Sequence, residues 1–411
     1  MTMRRTRSTN RCWCRSTSAA SISTPNRRTP PFTLQEHDMQ KQDNQPLLEP
    51  IRIGDLDLPN RIVMAPLTRM RAANPEHAPT ALHAEYYAQR ASAGLIISEG
   101  VFVSPAGFGW ADVPGLWSDA QVRGWRLVTD AVHRAGGRIV AQLWHTGSIG
   151  HPDFHDGKAP PSASAVNPGQ QSVTASGRQD TVVPRAMEKD EIRRTVADFG
   201  RAARNAIAAG FDGVQIQGGY HYLFNQFLNV RTNLRTDEYG GSVENRARFL
   251  FEVVETVVEA AGAHRTGIKT GPATSETGAF VSTDETLATS EYVIGRLNEF
   301  DLSHLLLMGA MADLSATPLA RLAGDGMFRH FRDLYRGNII ANVDFDRANG
   351  NRLIDAGLVD MVAFGRPFIA NPDLPERFAV DAPLAEVVWP TVYGATADGY
   401  TDYPALHALT A

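Results

Sequence analysis

The alternation of short apolar segments with longer helical segments constrains the fold of this chain more than any other feature. Eight segments rich in β-branched and other apolar side chains have the length and pattern of buried strands. They span residues 61–67, 94–98, 138–143, 213–217, 266–270, 303–308, 338–342 and 360–364. Helix-like segments lie near residues 80–92, 119–135, 188–209, 244–262, 284–300, 325–335, 346–356 and 372–380. Eight strands, each followed by a helix, predict an α/β fold in which one parallel sheet closes into a single (β/α)8 barrel, the TIM barrel.

Composition and charge argue against several classes of binding partner. The formal net charge of −5 speaks against nucleic acid and against an anionic membrane surface. No apolar run approaches the roughly 20 residues needed to cross a bilayer. Both cysteines, Cys12 and Cys14, precede the first predicted strand, so the rest of the chain holds no disulfide and no thiol nucleophile. We therefore expect a cytoplasmic protein that acts on a small molecule, as a monomer or a homodimer.

The first 46 residues differ from the rest of the chain. Arginine, serine and threonine are frequent there, and the first acidic residue is Glu36. A transit peptide has this composition, whereas a secretory signal needs an apolar stretch that is absent. A third interpretation is upstream translation or an expression tag, with Met39 as the natural start. We favour the third because the segment has no periodicity and the globular pattern begins only at Leu47. The predicted domains are a basic disordered extension over 1–46 and one barrel over 47–411.

Polar residues at the carboxyl ends of the predicted strands are the candidate site residues, because these ends meet on one face of a barrel. Gly365 and Arg366 follow the eighth strand, where a glycine admits close approach of a phosphate and an arginine supplies donors. The alternative is an arginine salt-bridged at the barrel rim. Lys269 ends the fifth strand and, because a lone buried lysine is costly, should face either a bound anion or a buried glutamate. Gln142 is either a core hydrogen-bonding residue or a donor to the edge of a ring.

Six separated motifs together resemble one family. They are APLTR (65–69), QLWHTG (142–147), FDGVQIQ…YHYLFNQFL (211–228), TDEYGGSVENRARF (236–249), VAFGRPFIANPDL (362–374) and GYTDYPAL (399–406). In this order they resemble the Old Yellow Enzyme family of NADH:flavin oxidoreductases, most of all its bacterial ene-reductase and N-ethylmaleimide reductase-like branch. The resemblance implies bound FMN at the carboxyl-terminal face of the barrel and NAD(P)H as the reductant. The expected reaction is reduction of activated C=C bonds in α,β-unsaturated carbonyl compounds.

The resemblance also implies how the flavin is held. Thr68 would hydrogen-bond the flavin O4, and Gln142 and Lys269 would face the pyrimidine edge, where charge accumulates on reduction. The full set of implied cofactor-binding residues is Pro66, Leu67, Thr68, Gly100, Gln142, Lys269, Asn342, Val343, Gly365 and Arg366. Two departures stand out: Lys269 replaces the usual arginine, and the segment ANVDFDRA after the seventh strand is poorer in glycine than in relatives. No metal is expected, since the histidines after the third strand lack a carboxylate or cysteine at ligand spacing.

The catalytic and substrate-binding residues follow from the same resemblance. Tyr222 matches the proton donor that completes the reaction after hydride passes from flavin N5 to the alkene; the alternative is a packing tyrosine at a strand-to-helix turn. Trp110 and Trp144 are expected to line the substrate pocket. Gln217 and Tyr220 stand where relatives carry a His–His or His–Asn pair that grips the substrate oxygen, and neither can become cationic.

Because of that change, a second hypothesis is a flavin-barrel isomerase or lyase that acts on an activated double bond without net reduction. A third is a flavin- or ligand-binding barrel without catalysis, against which the presence of Tyr222 speaks.

Overall fold

Eight parallel strands close into a barrel in the computed structural model, which describes residues 45–272 and 275–406. The strands are β1 (Ile51–Ile53), β2 (Leu56–Leu58), β3 (Ile62–Met64), β4 (Leu95–Phe102), β5 (Ile139–Trp144), β6 (Pro161–Ser162), β7 (Gln171–Thr174), β8 (Gly177–Asp180), β9 (Arg185–Ala186), β10 (Gly213–Gln217), β11 (Thr266–Thr270), β12 (His304–Met308), β13 (Ile339–Asn342) and β14 (Met361–Phe364). The barrel order is β3-β4-β5-β10-β11-β12-β13-β14, and β14 pairs with β3 to complete the circle. The predicted TIM barrel is confirmed. The prediction for residues 1–46 falls outside the described residues except for Gln45 and Pro46.

Helices surround the barrel. They are α1 (Ala81–Ala88), α2 (Asp119–Arg134), α3 (Lys189–Ala208), α4 (Leu223–Leu228), α5 (Val243–Ala261), α6 (Asp284–Leu297), α7 (Gly326–Leu334), α8 (Arg347–Asp355), α9 (Arg366–Ala370) and α10 (Leu374–Ala379). Local sequence sets their ends: Ser118 and Gln121 form a capping box at the start of α2, and Gly210 follows α3 with a φ of 88°. The short helices α4 and α9 were not predicted, because neither is long enough to show a helical period. No helix of the described chain is both long and apolar enough to span a membrane.

Two hydrophobic layers hold the barrel. The inner layer contains side chains such as Val63, Ile97 and Leu306, and the β1–β2 hairpin packs against it through Ile53 and Leu58. The outer layer lies between the barrel and the helices. Since Gly54 in that hairpin approaches the backbone of residue 264, just before β11, the hairpin covers the amino-terminal end of the barrel. The carboxyl-terminal end is left for the site.

The long segment between β5 and α3, which has no periodicity in sequence, contains four short strands. The β7–β8 hairpin is antiparallel, and β6 pairs with β9. Trp110 forms a bridge with Val173, and the backbone N–H of Ala111 donates to the Val173 carbonyl at 2.8 Å. The hairpin is thereby attached to the loop that follows β4, beside the carboxyl ends of the barrel strands.

Candidate active site

A cavity of about 220 Å³ lies at the carboxyl ends of the barrel strands. Its lining residues are Pro66, Thr68, Gly100, Gln142, Trp144, Gln217, Tyr220, Tyr222, Lys269, Met308 and Met311. All but the two methionines are among the site residues predicted from sequence. The closed barrel brings them together from separate strand ends, as the strand-end argument requires.

Lys269 is the cation of this cavity. It lies opposite Gln217 in the register of β10 and β11. Burial lowers the pKa of its ammonium group to about 8. Within the described part of the chain its ammonium has neither a carboxylate nor a hydrogen-bond partner, so the buried Lys–Glu pair considered from sequence does not form there. The group therefore offers an unshared positive charge to whatever enters the cavity.

Gln142 belongs to a buried hydrogen-bond chain that runs into the barrel. Its amide nitrogen donates to Oε1 of Gln215 at 2.7 Å, and Nε2 of Gln215 lies 2.9 Å from Nε2 of His304. Nδ1 of His304 lies 2.9 Å from the Ser303 hydroxyl. Because burial lowers the pKa of His304 to about 4, its ring is neutral and Nε2 can accept. The chain fixes the Gln142 amide and leaves its oxygen for the cavity. Gln142 therefore forms the core hydrogen bond considered from sequence and also lines the cavity, and its role as a donor to a ring edge stays a prediction.

Tyr222 lies at the first turn of α4, with its ring edge-to-face against Trp144 at a centroid distance of 4.9 Å. Removal from water raises the pKa of its phenol above the ordinary value, so the group is protonated at neutral pH. A Cβ at Gly100 would lie 2.5 Å from the Trp144 ring, so only glycine leaves room for the indole. The indole nitrogens of Trp110 and Trp144 are buried without a partner in the described structure.

Gln217 and Tyr220 occupy the predicted substrate-clamp positions on the same cavity wall. The side-chain oxygen of Gln217 accepts from the backbone N–H of Gly219 at 3.3 Å, which leaves its amide nitrogen free to donate to a ligand. Tyr220 adopts a left-handed backbone with a φ of 59°. Burial raises the pKa of its phenol, so at neutral pH both residues offer neutral donors.

His221 does not join the clamp. Its ring stacks between Tyr220 and Phe280, at a centroid distance of 4.2 Å from each, and it is hydrogen-bonded to Ser275. Burial lowers the pKa of the imidazole to about 4, so it is neutral.

A second cavity, of about 710 Å³, adjoins the first. Tyr220 and Tyr222 line both, and Trp110 lines only the second, so the predicted substrate residue Trp110 lies in the approach to the site. The other lining residues are mostly polar: Ile149, Asn167, Gly169, Gln170, Gln171, Arg178, Asp180, Thr181, His221 and Thr277. This arrangement gives a polar entrance that leads to the aromatic wall of the inner cavity.

The remaining predicted cofactor residues lie outside the inner cavity. They are Leu67, Asn342, Val343, Gly365 and Arg366. The Asn342 amide donates to the Ala363 carbonyl at 3.2 Å, across β13 and β14. Arg366 pairs with Asp344 at 3.2 Å, which is the rim salt bridge considered as the alternative to a phosphate contact. The structure therefore groups these residues at the neighbouring strand ends, with the arginine already paired.

Sequence analysis missed Met308, Met311 and Gln226. The methionines have no polar atom that would mark them, and Met311 follows a strand in a segment without a motif. Gln226 lies within the FNQFL string that was quoted for the resemblance but was given no role. Its side chain connects the loops after β5 and β10 through four hydrogen bonds, to Thr146, Ser148, Ser162 and His221.

The chain is similar to known proteins in both sequence and fold over most of its length. The family described as NADH:flavin oxidoreductase / NADH oxidase matches residues 46–384. A protein of Oryza sativa subsp. japonica named putative 12-oxophytodienoate reductase 2 is 41% identical over 378 residues, or 89% of this chain and 95% of the relative. Morphinone reductase in complex with tetrahydroNAD is 42% identical, with a TM-score of 0.81 and coverage of 88% of this chain and 98% of its own. The old yellow enzyme homologue of Zymomonas mobilis is 42% identical, with a TM-score of 0.80. The match covers 87% of this chain and 99% of the homologue.

Proposed function

The chain belongs to the NADH:flavin oxidoreductase / NADH oxidase family, and on that premise we propose that it reduces activated C=C bonds of α,β-unsaturated carbonyl compounds. It is an NAD(P)H-dependent flavin oxidoreductase of the Old Yellow Enzyme type that uses FMN. Two relatives are named as reductases of morphinone and of 12-oxophytodienoate, which supports the reaction class and leaves the substrate open. The observation that carries the proposal is one cavity holding both the ammonium of Lys269, which has no partner among the described residues, and the protonated phenol of Tyr222.

The side chains of the cavity fit a flavin. When bound, FMN supplies hydride from N5 to the β-carbon of the alkene. Lys269 would hold its positive charge beside the part of the flavin ring on which negative charge accumulates, and Gln142 would present to the ring an amide oxygen whose orientation its buried hydrogen bond to Gln215 fixes. The other residues proposed to hold the cofactor are Pro66, Leu67, Thr68, Gly100, Asn342, Val343, Gly365 and Arg366.

Tyr222 is the proposed proton donor. Its raised pKa keeps the phenol protonated throughout the neutral range, and the edge-to-face contact with Trp144 holds the ring in place. A general acid must keep its proton until the transition state forms, and a phenol near a developing carbanion can then release it. Tyr222 would transfer its proton to the α-carbon and regain one from water.

Gln217 and Tyr220 are proposed to hold the carbonyl oxygen of the substrate through an amide N–H and a phenol O–H. Trp110 and Trp144 would flank the rest of the molecule. Since neither donor is cationic, the carbonyl is polarised less than by a protonated histidine. We therefore expect turnover to favour alkenes whose activating group is itself strongly electron-withdrawing. We also propose that the enzyme acts in the cytoplasm as a monomer or a homodimer.

Stoichiometry under anaerobic conditions tests the proposed reaction. With 2-cyclohexenone as the probe, one equivalent of NADH or NADPH should disappear for each equivalent of saturated ketone formed. Anaerobic conditions are needed because oxygen would also oxidise the reduced cofactor. Conversion of an alkene probe to a rearranged product without consumption of the nicotinamide would instead support the isomerase alternative and contradict reduction.

The variant Tyr222→Phe tests the proton donor. Reduction of the bound flavin by NADPH should proceed at the wild-type rate, while oxidation by the enone should slow by about 10²- to 10⁴-fold, the usual contribution of a general acid. Stopped-flow absorbance separates the two half-reactions. Tyr335→Phe is the matched control, because Tyr335 is a buried tyrosine that follows α7 outside the barrel. Unchanged enone turnover in Tyr222→Phe would remove Tyr222 from the mechanism.

A further inference from the structure

The loops after β13 and β14 lie side by side at the carboxyl end of the barrel, because Asn342 pairs with Ala363 in the register of the two strands. Loops after the last two strands of such barrels commonly bind phosphate. Arg366 follows β14, and residues 343–346 connect β13 to α8. The phosphate of the flavin proposed above would therefore meet both loops.

Asp344 places a carboxylate at this point. Its Oδ1 lies 3.2 Å from Nη2 of Arg366, and both side chains are largely exposed, at 74% and 63%. A phosphate that binds Arg366 must share the guanidinium with this carboxylate or displace it. Since phosphate and carboxylate carry the same sign of charge, Asp344 opposes the attraction that Arg366 provides.

The backbone that carries Asp344 is left-handed over two residues. Val343 and Asp344 both adopt positive φ values, 94° and 61°. A β-branched residue in this region is strained and persists only where the surroundings impose it. The Val343 side chain supplies the constraint, because it packs against the inner hydrophobic layer of the barrel. The valine is thus fixed on one side of the loop, and the carboxylate that follows it is presented at the rim.

We infer that Asp344 lowers the selectivity of the flavin site for the phosphorylated cofactor, so that this chain binds riboflavin nearly as tightly as FMN. The inference rests on the proposed function, since it assumes that the flavin occupies the cavity described above. Arg366 paired with Asp344 contributes less to FMN binding than an unpaired arginine would, and the ring contacts made by the inner cavity are common to both flavins. Asp344 is a specificity-determining residue in this account, acting through the charge of Arg366.

Dissociation constants for FMN and riboflavin, measured by fluorescence quenching with the full chain freed of flavin, test the inference. The wild type should bind the two within about tenfold of each other, because an exposed, already paired arginine adds little affinity. Asp344→Asn should tighten FMN binding about 3- to 10-fold, because the FMN phosphate can then bind Arg366 without competition from the carboxylate. The dissociation constant of riboflavin should stay the same, because riboflavin has no phosphate.

A second variant and a matched control make the test specific. Arg366→Gln should weaken FMN binding more in the Asp344→Asn background than in the wild type, because Asp344 masks the arginine only when its charge is present. Asp325→Asn is the control: it removes an exposed Asp–Arg pair that joins the N-cap of α7 to Arg352 in the last turn of α8 and includes neither loop of the candidate phosphate site. It should change neither constant.

The results that would contradict only the inference differ from those that would also contradict the proposed function. A wild type that prefers FMN by more than about tenfold would overturn the inference, as would an Asp344→Asn variant whose ratio of the two dissociation constants equals that of the wild type. Either result leaves the proposed function intact, because FMN still binds. Binding of neither flavin would overturn the proposed function together with the inference.

Discussion

The ammonium group of Lys269 lies in the inner cavity without a carboxylate or hydrogen-bond partner in the described structure, and burial lowers its pKa to about 8. The folded protein without cofactor therefore holds this charge at a cost, since the same group in the unfolded chain titrates near 10.5. The cost is greatest below about pH 8, where the group is charged in both states. It disappears as the pH rises towards 10.5, where the unfolded chain also loses the proton. A buried cation that stabilises negative charge on a ligand therefore lowers the stability of the folded protein when the ligand is absent.

Lys269→Met should accordingly stabilise the protein freed of flavin. We expect the free energy of unfolding at pH 7 to rise by about 1–2 kcal/mol, less than the full shift implies because the side chain is partly exposed to the cavity. Urea denaturation at pH 7 and at pH 10 measures the gain, which should shrink at the higher pH. Lys158→Met, at an exposed position, is the control and should leave stability within about 0.5 kcal/mol. A destabilised Lys269→Met protein would show that the lysine has a structural partner in the fold.

At the scale of elements, the site depends on loops that are tied to one another as well as to their strands. Gln226, at the centre of α4, is fully buried. It donates to the carbonyls of Thr146 and His221, at 2.9 and 2.8 Å, and accepts from the Ser148 backbone and the Ser162 hydroxyl, at 2.8 and 3.0 Å. This side chain connects the loop that follows Trp144 with the turn that carries the proposed clamp residues and the proposed proton donor.

Gln226→Leu should leave the Ser148 N–H, the Ser162 hydroxyl and the His221 carbonyl without the hydrogen bonds that Gln226 makes to them. The expected loss is about 2–4 kcal/mol of unfolding free energy, because each unsatisfied buried group costs about 1–3 kcal/mol. Enone turnover should fall at the same time, since the loops that position Trp144 and Tyr222 lose their common anchor. Gln89→Leu, which removes a part-buried glutamine with a bond to the Thr401 carbonyl, is the control and should cost about 1 kcal/mol. Equal losses for the two variants would contradict the anchoring role of Gln226.

How far the sequence predicts these elements depends on the range of the interactions that form them. The barrel strands and long helices were predicted to within a few residues, because periodicity and helix ends are local signals. The β7–β8 hairpin was not, since its position depends on a contact between Trp110 and Val173, far apart in the chain. The left-handed backbone at Val343 was not predicted either, because nothing in a β-branched residue signals a positive φ.

For the candidate site, too, the residues marked by local sequence signals were predicted and the contacts between distant parts of the chain were not. Polar residues at strand ends, such as Gln142 and Lys269, were found because the fold places strand ends together. The pairing of Arg366 with Asp344 was considered only in general terms, since the partner depends on how two loops approach each other. Met308 and Met311 could not be found, because apolar residues after a strand look the same in a site and in a core.

At the scale of the whole molecule, a closed barrel brings strand ends from most of the chain into one cavity, and its other end is covered by the β1–β2 hairpin. The cavity has a cation with no counter-ion in residues 45–272 and 275–406, aromatic walls, neutral donors and a polar entrance. Family membership and these features lead to the same account, that of an enzyme that passes electrons from a nicotinamide through a bound flavin to an alkene.

The most direct test of that account is the visible absorption of the purified protein, incubated with FMN and separated from unbound flavin. We predict a flavin band near about 450 nm that is lost on anaerobic addition of NADPH or NADH and returns when 2-cyclohexenone is added. A protein that retains no flavin band, or a reduced band that the enone does not restore, would contradict the central claim.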